Sequence, residues 1–89
     1  MCEFGLFITG LLAALDCSGH GGIVKGARLL GTTRQSIHNW RAGRVMPDVI
    51  SLRRICEIAA VKTDMGTLPE LLELATAAIA RDWAKRENA

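Results

Sequence analysis

Residues 25–46 contain no carboxylate, and within 34–42 the polar side chains fall at helical spacing: Arg34, Gln35, Ser36, Ile37, His38, Asn39, Trp40, Arg41, Ala42. A helix turns by about 100° per residue, so Ile37 and Trp40 share a face. Gln35, Asn39 and Ala42 point away from it, with Arg34 and His38 at their sides. The outward face therefore carries amides, a guanidinium and an imidazole, without the Glu/Lys pairs of an ordinary solvated helix. Amides such as Gln35 and Asn39 match the donor and acceptor of an adenine edge, and Arg34 matches guanine. Thr33, Ser36, Arg41 and Arg44 suit phosphate oxygens, as do the free N–H groups at helix starts. The chemistry these residues predict is non-covalent recognition of double-stranded DNA.

Other chemistries find little support. Cys17 and His20 have a C-x-x-H spacing, but a structural zinc needs four ligands, and the remaining soft ligands are only Cys2, Cys56 and His38. No metal site is expected. Three cysteines at irregular spacings make no disulfide framework, and Cys56 reads as a small core residue. No Ser/His/Asp set, carboxylate pair or phosphate-binding loop occurs, and Gly19-His20-Gly21-Gly22 reads as a flexible loop. The chain is expected not to be an enzyme and to use no cofactor or small-molecule ligand.

The elements that must position the polar face read as five helices with no alternating strand pattern. The first spans 3–15. The second spans 23–30, with Val24, Ala27 and Leu30 on one face, and Gly31 stops it. Thr32-Thr33 supplies an N-cap hydroxyl for the third, 34–42. Gly43 ends that helix, and Asp48 caps a fourth over 49–61 whose apolar face is Leu52, Ile55, Cys56 and Ala59. Thr67-Leu68-Pro69-Glu70 fits a capping box with proline in the first turn. It opens a fifth helix over 68–85, where Leu68, Leu71, Leu72, Ala75, Ile79 and Trp83 recur. Part of that helix, with Trp83 near its end, is expected to form a homodimer contact, because so small a DNA-binding module usually pairs to read enough sequence.

The chain of 89 residues is one small domain. Its 49% hydrophobic and 22% charged content is that of a globular protein. A net charge of +2 conceals segregation: residues 23–54 hold seven basic side chains against Asp48 alone, a local charge of +6, leaving −4 on the remainder. Such a patch favours a polyanion. The apolar stretch 4–15 is shorter than the roughly 20 residues that cross a bilayer. With Glu3 in front, it also lacks the basic start of a secretory signal. A core helix of a cytoplasmic protein, with no membrane partner, is the expectation.

Gly31-Thr32-Thr33-Arg34-Gln35-Ser36-Ile37, then Trp40-Arg41-Ala42-Gly43-Arg44 and Pro47-Asp48, resembles the helix-turn-helix domain of the Cro and repressor proteins of lambdoid phages. The resemblance covers residues 23–61, with the motif itself at 23–42. It implies a compact, five-helix, lambda-repressor-like all-α domain spanning 1–89. It also implies a homodimer on a palindromic operator, acting as a transcription regulator, most simply a repressor. By this likeness Arg34, Gln35 and Asn39 reach base edges, and Thr33, Ser36, Arg41, Gly43 and Arg44 hold the DNA backbone; His38, at the side of the same outward face, is a further base-reading candidate. The chain departs from the pattern at Gly26, inside the first motif helix, and at Ile23, where a Gln often contacts phosphate. The acidic flanks and the apolar fifth helix motivate an alternative, a small phage-type inhibitor or adaptor that binds another protein through the same scaffold.

Overall fold

The computed structural model describes residues 2–87, and among them helices and turns account for all regular structure. Five helices follow in order: α1 (Glu3–Ala14), α2 (Gly22–Leu30), α3 (Arg34–Ala42), α4 (Val49–Lys62) and α5 (Leu68–Glu87). The chain is all-α, as its periodicity predicts. The others assemble around α1, which packs on α2, α3 and α5, while α4 packs on α2 and α5. Its composition explains this role. Glu3 is its one charged residue, and Phe4, Ile8 and Leu11 are wholly buried. Burying each such side chain is worth about 1.5–3 kcal/mol. The rings of Phe4 and Phe7 stack with centroids 5.8 Å apart.

Local signals end and start the helices where the side chains direct. The carboxylate of Asp48 accepts from the Ser51 amide (2.7 Å) at the start of α4. At α5 the capping box closes in both directions. The Glu70 amide donates to Thr67 Oγ1 (3.4 Å), and the Thr67 amide donates to Glu70 Oε1 (3.1 Å).

Two faces differ from the sequence expectation. Val24 does not join Ala27 and Leu30 in the core; it is 42% exposed. The cause is Gly26, where a Cβ would lie 2.5 Å from Leu12 Cδ2 of α1. The closest approach of α2 to α1 runs through that glycine, which rotates the buried stripe away from Val24 and explains a glycine inside this helix. On α5 the buried line is Leu71, Ala75, Ala78 and Asp82. Leu72 and Ile79 are half-buried at its edge, and Trp83 is 54% exposed. The small side chains of Ala75 and Ala78 let α1 approach closely, and Trp83, about 100° further round the helix, is left outside.

Candidate nucleic-acid interface

The back of α3 is anchored by Ile37 and Trp40, both buried in the common core where α3 packs on α1. Its start follows a tight turn. Gly31 adopts φ 68°, a left-handed conformation costly for other residues, and the Thr32 amide donates to the carbonyl of Ala27 (2.9 Å). Thr33 then caps α3: its Oγ1 accepts from the Ser36 amide (3.1 Å) and donates to Ser36 Oγ (3.1 Å). No acidic residue stands in the first turn of α3, so the positive end of its dipole is not neutralised.

The far end of α3 is held just as firmly. Gly43, at φ 74°, donates its amide to Trp40 O (3.2 Å), and the Arg44 amide donates to Asn39 O (3.0 Å). Cys2, the N-cap residue of α1, lies against this turn. Its Sγ accepts from the Gly5 amide (3.2 Å) and approaches the carbonyls of Trp40 and Arg41 at 3.6 and 3.7 Å. A Cβ on Gly43 would come within 3.2 Å of that sulfur.

Between these fixed ends the outward face is as the helical wheel predicts. Arg34, Gln35 and His38 are exposed, with Asn39 half-buried at their base. Gln35 Nε2 donates to Asn39 Oδ1 (3.1 Å). Thr33 and Arg44 are exposed beside this face, and Ser36 and Arg41 are half-buried. Gly43 is buried with its N–H engaged within the cap. It shapes the turn that carries Arg44 rather than offering a donor outward.

The charges around α3 are uncompensated. Among the described residues the ion pairs are Arg53–Glu57, Arg81–Glu3 and Lys85–Glu3. Lys25, Arg28, Arg34, Arg41, Arg44 and Arg54 enter none of them. Three of these, Lys25, Arg28 and Arg54, carry no contact role in the sequence reading. Arg28 lines a groove with Thr32, Thr33 and Arg34. Arg54, on α4, sits over the turn, since a Cβ on Gly31 would meet its Nη1 at 3.2 Å. The basic run signalled Arg54, but only the packing of α4 on α2 puts it there.

A second polar cluster lies where α5 crosses the start of α1. Asp82 is buried and caps that helix from outside, accepting from the amides of Glu3 (2.8 Å) and Phe4 (2.9 Å). Burial opposes its ionisation. The two backbone amides, the Cys2 thiol and Lys85 outweigh that effect and hold the carboxyl below the usual aspartate value. Glu3 is drawn below its ordinary value chiefly by the hydrogen bond from Arg81 (2.6 Å), helped by Lys85. This cluster bears on α3 indirectly, because pinning the start of α1 seats Cys2 against the end of α3. In the sequence Asp82 is one carboxylate of the acidic flanks, with no local signal that marks it for burial.

The remaining cysteines do not assemble a metal centre. Cys17 is buried with its thiol donating to Leu15 O (3.5 Å), His20 is exposed, and burial pushes the Cys56 thiol up to about 11. Among the described residues no group of three or more His, Cys, Asp or Glu is placed to hold a metal ion, and no helix is long and apolar enough to cross a membrane. Comparison with protein families, curated proteins and solved structures finds no match for this chain.

Proposed function

We propose that this protein is a sequence-specific, double-stranded DNA-binding regulator of transcription. In this reading α2 and α3 form a helix-turn-helix, and α3 enters the major groove. The observation that carries the proposal is the outward face of α3: amide and basic side chains on a helix anchored at both ends, in a segment where Lys25, Arg28, Arg34, Arg41, Arg44 and Arg54 enter no ion pair among the described residues. A solvated helix has no need of such an imbalance, whereas a phosphate backbone supplies the missing charge. Arg34, Gln35, His38 and Asn39 face the bases. Thr33, Ser36, Arg41 and Arg44 meet the backbone, joined by Arg28 and Arg54. Repression of a promoter by a homodimer on a palindromic operator, in the manner of the phage proteins it resembles, is the simplest use of this surface. The exposed Val49 and Trp83 offer apolar area for a contact between copies.

Selection of bound duplexes from a random pool tests the proposal, followed by affinity against salt for the winner and a scrambled control. The expected result is a palindrome with half-sites about one helical turn apart and affinity falling steeply with salt. Absence of both enrichment and salt dependence would refute it. A specific observation favours one second reading, an adaptor that binds protein. Leu6 and Leu74 are exposed along a groove between α1 and α5, beside Phe7, Gly10, Met65 and Ala78. Binding through that groove would change little with salt.

A further inference from the structure

We infer that Cys2 is a positioning residue for the contact of Arg44 with the DNA backbone, coupling the buried carboxylate of Asp82 to the closed end of α3. The inference rests on the DNA-binding reading and adds to that surface a residue remote from α3 in the chain. Cysteine is an unusual choice at the N-cap of α1, where oxygen side chains are strongly preferred, because a thiol is a weak acceptor. The start of α1 has little need of a strong one. Asp82 takes the amides of Glu3 and Phe4 (2.8 and 2.9 Å), and the Cys2 carbonyl takes that of Leu6 (3.0 Å). Of the first four amides only that of Gly5 is left for Sγ (3.2 Å). With capping shared in this way, the side chain at position 2 is available to α3.

There the sulfur fills a space. It lies 3.6 Å from the carbonyl of Trp40 and 3.7 Å from that of Arg41. A Cβ on Gly43 would stand 3.2 Å from Sγ and 3.3 Å from the Cβ of Cys2. The turn that closes α3 therefore rests directly on this side chain. Arg44 leaves that turn with its amide held by Asn39 O (3.0 Å) and its side chain exposed. On the other side the thiol bonds the Asp82 carboxylate, which is itself fixed by two amides. One S–H thus faces three acceptors, one from α5 and two from α3. A long cation meets a phosphate at lower ordering cost when the backbone that carries it is already fixed. Cys2 supplies that fixity from α1.

The test uses the full chain as the unaltered protein, Cys2→Ala, Cys2→Ser, Arg44→Ala and Cys2→Ala combined with Arg44→Ala, at a temperature where each is folded. Amide hydrogen exchange is measured on the free protein, and affinity against salt on the selected duplex and a scrambled one. Cys2→Ala is expected to lower protection of the Arg44 amide about tenfold. It should weaken both duplexes alike, by about threefold to tenfold, with a shallower salt slope. Once Arg44 is alanine, the Cys2 change should cost less than about twofold, because the contact it supports is already gone. A general loss of stability would not vanish in that background. Cys2→Ser keeps a cap and a donor, and should return protection and affinity to within about twofold of the unaltered protein. Unchanged protection in Cys2→Ala, unchanged affinity, or an equal loss with and without Arg44 overturns the inference and leaves DNA binding standing. No salt-dependent binding of the unaltered protein to any duplex overturns the DNA reading and this inference together.

Discussion

At the junction of α1 and α5, Asp82 satisfies the first amides of α1 and Glu3 answers Arg81 and Lys85. On α3, by contrast, Arg34 and His38 stand exposed without a partner among the described residues, where the side chains of Gln35 and Asn39 bond only to each other. Both regions are rich in polar side chains. The first turns them inward, where a buried carboxylate is tolerable because amides and cations meet it. The second leaves its hydrogen-bonding capacity facing out, on a helix whose backbone is fixed at both ends. Charge density therefore does not distinguish a structural cluster from a binding surface. Whether the folded chain has already satisfied its own groups does.

The variant that cuts deepest removes the anchor common to both regions. Trp40 is buried behind α3, and its carbonyl lies against Cys2 at the start of α1. Trp40→Ala is expected to cost about 3–5 kcal/mol, and denaturant unfolding should record it. Loss of only a few tenths would mean that α3 is not held from behind as described.

Asp82→Ala strikes the junction alone. Two amides at the start of a helix lose a charged acceptor, at a cost of about 2–3 kcal/mol. The folded-state pKa of Asp82 lies below its unfolded value. Its contribution is therefore complete above the ordinary aspartate value near 3.8 and disappears as pH falls through the lower folded value. Unfolding curves of the two proteins should differ at neutral pH and converge in acid. An equal difference at every pH would show that packing, not the carboxylate, is responsible.

Arg44→Ala sharpens the contrast from the other side. The side chain is exposed and enters no ion pair among the described residues, so stability should change by no more than about 0.5 kcal/mol. Affinity should fall equally for specific and random duplexes, with the salt slope reduced by about one. A melting temperature displaced as far as that of Asp82→Ala would erase the distinction between the two regions. The smallest effect is expected from Glu3→Gln. Its exposed partners are screened by solvent, so thermal melts should show a slight loss at low salt that vanishes at high salt. A loss that persists in concentrated salt would place Glu3 among the structural groups with Asp82.

Much of this contrast was legible in the sequence on one side and hidden on the other. The polar face of α3 follows from local rules, because Ile37 and Trp40 set the wheel and Thr33, Gly31 and Gly43 set its limits. Those signals act within a turn or two of one helix, so they can be read in order along the chain. The junction had no such signal. Asp82 sits among charged residues at the end of a helix, where solvation is the ordinary outcome, and the amides it caps belong to the opposite end of the chain. Val24, 42% exposed beside the core, was hidden for a related reason. Periodicity marks which residues can share a face, but the tilt of the neighbouring helix decides which edge of that face is covered.

By itself, then, the sequence determined five helices, their capped boundaries and the amide and basic character of the face of α3, since each depends on backbone geometry and neighbours within a few residues. Only the tertiary structure decided that Gly26 admits α1, that Asp82 is buried while Trp83 is not, and that Arg54 lies over the turn before α3. These outcomes depend on how closely separate helices approach, and that is set by the shapes of side chains far apart in the chain.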